Sequence, residues 1–126
     1  MKRMTFTLPL PPSVNALYAN VAGRGRVKSE RYRTWLNAAG WELKAQKPPR
    51  VEGDYCIWIW ANRPDGRKRD LGNLEKPVSD LLVAHGIVAD DSQCVEIHLY
   101  WSGTGRECSV LVEPSALSRV TEKKAA

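Results

Sequence analysis

Residues 67–93 read RKRDLGNLEKPVSDLLVAHGIVADDSQ. The stretch opens on three cations, meets an acid at Asp70, and closes on a pair of acids at Asp90 and Asp91. Between them the pattern is helical. Leu74, Val78, Leu81, Leu82 and His85 fall on one stripe about 100° wide when each residue advances ~100°. Pro77 fixes where this helix begins. Deeper than the first turn a proline removes a hydrogen bond and clashes with the preceding turn. The spacing therefore predicts a helix from about Asn73 to His85, with Gly86 as the residue that ends it.

The start of that helix opens onto Arg69-Asp70-Leu71-Gly72-Asn73, where free N–H groups and the helix dipole favour anions, phosphate included. Asn73, Lys76 and Asp80 lie opposite the apolar stripe. Lys76 thus projects away from the core, one turn in, where a lysine can stabilise charge developing on a phosphate. Glu75 points about 100° away from Lys76. After Gly86, Ile87-Val88-Ala89 leads out of the core to Asp90-Asp91. If Asp70 and Asp91 meet, they form a hard oxygen-ligand site suited to Mg²⁺ or Mn²⁺; spacing alone leaves their meeting open. Arg67, Lys68 and Arg69 would keep such acids ionised and hold a polyanionic backbone. Each piece also has a plain structural role. Asp70 suits a helix cap, Asp90-Asp91-Ser92 a polar turn, Lys76 a solvated position, and residues 67–69 a charged turn.

Strands flank this unit. In DYCIWIWAN, residues 54–62, Tyr55, Ile57 and Ile59 alternate with Cys56, Trp58 and Trp60. Both faces are apolar, as in an interior strand. From Gln93 to Trp101, Val95, Ile97, Leu99 and Trp101 alternate with Cys94, Glu96, His98 and Tyr100, again a strand. SGTG then turns the chain, and GRECSVLVEP reads as the hairpin partner of that strand.

Upstream, MTFTLPL places Met4, Phe6 and Leu8 on one side of a short strand. Residues 11–28 read as a long loop, in which Gly23 and Gly25 leave Arg24 and Arg26 on a flexible backbone, with Lys28 beyond them. Ser29 is the cap of an amphipathic helix over 30–46, carried by Tyr32, Trp35, Leu36, Ala39 and Leu43. Lys47-Pro48-Pro49 stops it. The tail from about residue 116 reads as frayed. The order β-α-β-α-β-β predicts an α+β layer: one domain over residues 1–126, with a small mixed sheet and two main helices.

Composition narrows the partners. The chain has 126 residues and a net charge of +5. Residues 1–76 hold 15 Lys/Arg against 7 Asp/Glu, net +8, while residues 77–126 hold 4 against 7, net −3. The excess gathers in GRGRVKSERYR and RPDGRKR, which suits a polyanion such as nucleic acid. No apolar run approaches the ~20 residues of a membrane span, and no signal peptide is evident, so no membrane partner and a cytoplasmic location are expected. Cys56, Cys94 and Cys108 lie far apart and read as reduced strand residues. His85 and His98 read as a packing residue and a solvated strand residue.

The motif R-D-L-x-N-L-x-K, followed by a helix and then G-x-x-x-D-D-S-Q, resembles the RusA family of Holliday-junction endonucleases. LPLPPSVNALY resembles that family's opening strand and P-P-S-x-N-x-x-Y turn. The resemblance spans about residues 4–112. It implies a small, mostly phage- or prophage-encoded, homodimeric enzyme of recombination and repair. With Mg²⁺ as cofactor, such an enzyme hydrolyses paired strands of a four-way DNA junction. By position it implies Asp70 and Asp91 as catalytic metal ligands and Lys76 as their helper. Arg67, Lys68, Arg69 and Asn73, with Arg24, Arg26 and Lys28, are the residues expected to hold the DNA.

One position departs from the family pattern. D-x-D-N is common there, and this chain has Gly72 where the second aspartate falls. Asp80 lies about two turns along, roughly 10 Å too far to replace it. Asp90 is the nearest substitute, as a third metal ligand, and water can fill a position because magnesium keeps several waters. Weaker metal binding and a shift towards Mn²⁺ are expected. The alternative is a catalytically impaired protein that grips branched DNA without cutting it. A third reading is an RNA- or single-strand-binding protein that stacks bases on Tyr18, Tyr100 and the tryptophans.

Overall fold

The computed structural model describes residues 4–116. In chain order these form β1 (Met4–Pro9), β2 (Tyr18–Val21), β3 (Gly25–Lys28), α1 (Glu30–Ala45), β4 (Tyr55–Arg63), α2 (Glu75–Ala84), β5 (Cys94–Thr104) and β6 (Glu107–Pro114). Short 3-10 turns cover Val14–Ala16, Leu71–Leu74 and Asp91–Gln93. The main sheet has the order β1-β6-β4-β5; β2 and β3 pair separately as a hairpin. The tail expected to fray lies, from residue 117 on, outside the described residues.

β4 is interior, as its two apolar faces predict. It pairs antiparallel with β6 and parallel with β5. Tyr55, Ile57, Ile59 and Ala61 are fully buried, whereas Trp58 and Trp60 on the opposite face are partly open. The parallel β4–β5 pair requires a crossover, and the segment containing α2 supplies it. This crossover positions residues 64–74 after β4 and Asp90-Asp91 before β5.

Both helices follow the sequence pattern. α1 buries Tyr32, Trp35, Ala39 and Leu43. The Tyr32 backbone N–H donates to Ser29 Oγ (3.1 Å), and Ser29 Oγ donates to the Ala16 carbonyl (2.6 Å), tying the helix start to the preceding turn. Trp35 Nε1 donates to the Pro9 carbonyl at 2.9 Å, fastening α1 to the end of β1. α2 buries Val78, Leu81 and Leu82, Leu74 is buried just before it, and Gly86 at φ 70° follows its end. The helices approach closely at Gly40, where a Cβ would lie 2.9 Å from His85 Nε2.

Two expectations need correction. Residues 11–28 are not one loop: Tyr18–Val21 and Gly25–Lys28 pair in register, and the Arg24 N–H donates to the Val21 carbonyl across the turn. Gly23 and Gly25 take positive φ there, which a tight turn requires. The hairpin escapes periodicity because YANV and GRVK are mostly exposed and bury no alternating face. The element order is accordingly β-β-β-α-β-α-β-β.

The second correction concerns β6, which pairs with β4 and β1 and not with β5. Burial explains the choice. Cys108, Val110 and Val112 are buried on one face and Leu111 on the other, so β6 belongs inside the sheet. β5 exposes Val95, Ile97 and Tyr100 and sits at the edge. The turn between them passes the ends of β4 and β1, where Gly105 N–H donates to the Arg63 carbonyl and Leu10 N–H to the Arg106 carbonyl.

Candidate active site

The site is built around the turn that leads into α2. After β4, Asp65 accepts from the Arg67 N–H at 3.0 Å and from Arg69 at 2.7 and 3.3 Å, folding the basic run into a compact turn. Arg69 is therefore partnered within its own turn. Asp70 Oδ1 then accepts from the Gly72 N–H at 3.1 Å, and the Asp70 carbonyl accepts from the Asn73 N–H at 3.1 Å. Asp70 is the cap of the Leu71–Leu74 turn, as its position before a helix predicts, and it stays exposed.

A groove of about 650 Å³ runs beside this turn. Lys68, Arg69, Asp70 and Asn73 line it, joined by Arg31 of α1 and Arg106 of the β5–β6 turn. Asp70 is its one acid against four cations. Arg31 is exposed on α1, and Arg106 is exposed in its turn. Nothing local signals either one, because only the tertiary fold brings residues 31, 70 and 106 together.

A second pocket, of about 470 Å³, holds Lys76, Asp80, Asp90 and Asp91 with Tyr18, Tyr32 and Lys28. Asp90 Oδ1 accepts from the Ser92 N–H at 2.9 Å, and that bond holds its carboxyl below the usual range. Lys76 Nζ lies 3.1 Å from Asp80 Oδ1, while Tyr32 Oη donates to Asp80 Oδ2 at 2.8 Å. The bond to Asp80, then its charge, raises the Lys76 pKa; Asp91 adds a smaller push in the same direction. The structure thus brings Lys76 together with Asp90 and Asp91, and Asp70 with Lys68, Arg69 and Asn73. Asp70 and Asp91 line different pockets. Arg67 is exposed and lines neither.

The hairpin residues divide likewise. Lys28 reaches the second pocket. Arg26 stacks on Tyr18, its guanidinium carbon 4.6 Å from the ring centroid, and Tyr18 meets Tyr32 edge-on at 6.0 Å. Tyr18 is therefore covered on two sides. Arg24 stands exposed at the turn.

Comparison with known proteins identifies the family. Residues 9–113 match the family model described as "Endodeoxyribonuclease RusA". The chain belongs to the RusA family. It is 35% identical over 96 residues to the crossover junction endodeoxyribonuclease RusA of Escherichia coli K12, covering 76% of this chain and 80% of that one. Enterobacteria phage 82 carries a crossover junction endodeoxyribonuclease 33% identical over the same coverage. The RusA protein of Aquifex aeolicus is 30% identical over 92 residues, covering 72% of this chain and 71% of its own. RusA proteins of that name are hydrolases of DNA phosphodiester bonds.

Against this RusA background, the donors present suit a hard cation by chemistry, since Asp70, Asp90 and Asp91 offer carboxylate oxygens. Among the described residues, however, no three Asp, Glu, His or Cys side chains converge on one point. Gly72 puts no side chain next to Asp70. Its Cβ position is open, with Asp70 Oδ1 3.5 Å away, and its φ is not positive. Ser79 donates to the Glu75 carboxylate, and Glu75 and Asp91 both act on the Tyr55 hydroxyl and the Cys94 thiol. Gln93 Oε1 is buried without a hydrogen-bond partner among the described residues.

The cysteines take no part. All three are free. Burial first pushes the Cys56 thiol up to about 11 and the Cys108 thiol up to about 12, so both remain protonated at neutral pH. His85 is half-buried against α1, and His98 stacks on Trp58 at 4.8 Å and contacts Glu96.

Proposed function

We propose that this chain is a divalent-metal-dependent endonuclease that cuts four-way DNA junctions by phosphodiester hydrolysis, acting as a homodimer in recombination and repair in the bacterial cytoplasm. One observation carries the reading. In a RusA-family chain, a cationic groove lined by Asp70 lies beside the turn into α2, and a second pocket holds Lys76 and Asp91. The groove suits a DNA backbone, and the acids suit a cation at the scissile phosphate. The carboxylates that would hold Mg²⁺ or Mn²⁺ are Asp70, which lines the groove, and Asp90 and Asp91, which line the second pocket. When bound, that ion activates water and offsets phosphate charge. Lys76, placed beside Asp91, offsets charge on a non-bridging oxygen. Lys68, Arg69, Asn73, Arg31 and Arg106 hold the backbone, with Arg67, Arg24, Arg26 and Lys28 as outer contacts.

A homodimer follows from the substrate, because a four-way junction offers two symmetric strands to two sites. The partly open face bearing Trp58 and Trp60 supports it, since aromatic surface of this kind favours a partner. Sedimentation at several concentrations tests this part: a mass near twice 14.1 kDa agrees, and a monomer throughout disagrees.

The second reading, a binding protein that no longer cuts, rests on Gly72 and on the lack of a three-carboxylate cluster among the described residues. One assay separates the two. A labelled junction is incubated with Mg²⁺ or Mn²⁺, with linear duplex as competitor. Paired nicks support the nuclease; tight junction binding without nicks supports the binder.

A further inference from the structure

We infer that Asp80 is the positioning residue for Lys76, and that Tyr32 locks Asp80 in that role. This rests on the nuclease reading, in which Lys76 faces the scissile phosphate.

An i,i+4 Lys–Asp pair on a helix surface is common and individually weak. Lys76 and Asp80 are spaced in this way, and Lys76 is half-exposed. What departs from the ordinary pair is the third member. Tyr32, on α1, is fully buried, so its hydroxyl has little freedom. It donates to the Asp80 oxygen that Lys76 does not use. One Asp80 oxygen therefore has a donor held by the core, and Asp80 loses rotamers that a solvent-facing aspartate would sample. Burial, then the bond to Asp80, pushes the Tyr32 hydroxyl well above the ordinary tyrosine range, so Tyr32 acts only as a donor here.

The consequence falls on Lys76. Its ammonium is held in the pocket of Asp90 and Asp91. It feels the Asp91 charge, yet among the described residues its ion pair is with Asp80 and not with Asp91. A mobile lysine beside an ionised aspartate would close onto it and occupy the oxygens a cation needs. Asp80 prevents that collapse and keeps Lys76 available to a phosphate. The lock also reaches the hairpin, because Tyr32 packs against Tyr18, which carries Arg26.

Two measurements test the inference. The first is the rate at which Lys76 is acylated by an amine-reactive ester in the DNA-free protein, followed by peptide mass spectrometry. The second is the kcat and KM for a four-way junction. Asp80→Asn frees Lys76 and should speed its acylation severalfold relative to the other lysines. It should also lower kcat about ten- to a hundredfold with little change in KM, the scale expected when a catalytic group is displaced. Tyr32→Phe, which keeps the buried ring, should give the same changes at smaller size. Asp80→Glu should restore both readouts in part. In a Lys76→Ala background, Asp80→Asn should cost nothing further. Unchanged Lys76 acylation in both Asp80→Asn and Tyr32→Phe overturns the inference, as does an equal loss of kcat with and without Lys76. If no variant cuts junctions, the nuclease reading fails, and acylation still decides whether Asp80 positions Lys76.

Discussion

Gly72 is where the chemistry of a single residue weighs most. Its neighbour Asp70 uses one oxygen to cap the turn and leaves the other for a ligand. A carboxylate at position 72 would stand next to it, in open space and on a backbone that accepts a side chain. Gly72→Asp should therefore raise affinity for Mg²⁺ and Mn²⁺, read by calorimetry, and speed junction cleavage. It should also lower the metal-free melting temperature, because two like charges then sit side by side, and added Mg²⁺ should reverse that loss. No gain in metal affinity would mean that Gly72 is not the missing ligand position. His85 gives a pH signature of its own. Burial first, then Lys44, lowers its pKa below the ordinary histidine value. The unfolded chain takes up a proton near pH 6.5 while the folded chain still refuses it. The contribution of His85 is thus present above about pH 6.5 and lost as the pH falls from there through the folded pKa. Chemical denaturation from pH 7.5 to 5 should show stability falling in that window, and His85→Gln should flatten the fall.

At the scale of elements, α1 links the core to the site. Ser29 caps it and also holds the Ala16 carbonyl, so Ser29→Ala removes two hydrogen bonds at once. The loss should be about 1–2 kcal/mol, read as a lower urea midpoint with an unchanged slope. The elements legible in the sequence were those whose signal is local. Pro77 and the Leu74–Leu82 stripe placed α2, Ser29 placed the start of α1, and the two apolar faces of residues 55–60 placed β4 inside the sheet. What periodicity missed is non-local. The β2–β3 hairpin buries almost nothing, so no alternation marks it. The seat of β6 between β1 and β4 depends on which strand has two apolar faces to hide, and Leu111 was the overlooked clue. The site divides in the same way. Asp70 as cap, the exposed Lys76 and the polar Asp90-Asp91 turn could be read along the chain. The Tyr32–Asp80 bond, across 48 residues, and the approach of Arg31 and Arg106 to Asp70 could not.

At the scale of the molecule, a cationic groove lies beside the turn into α2, and a pocket with three acids lies along the flank of the same helix. A backbone held in such a groove binds with an affinity that falls steeply with salt. For a four-way junction, the slope of log affinity against log salt should fall by about one for each of Arg31→Ala and Arg106→Ala. Arg33→Ala, on the same helix but outside the groove, should leave it nearly unchanged. Loss of affinity without a change of slope would place the DNA elsewhere. The proposed activity turns on whether Asp70, which lines the groove, does chemistry. The most direct test is cleavage of a labelled four-way junction in Mg²⁺ and Mn²⁺ by the natural chain and by Asp70→Asn, with binding followed in parallel. The account predicts paired nicks from the natural chain and none from Asp70→Asn, which should still bind the junction. Tight binding by both chains with no nicks in either metal would contradict it.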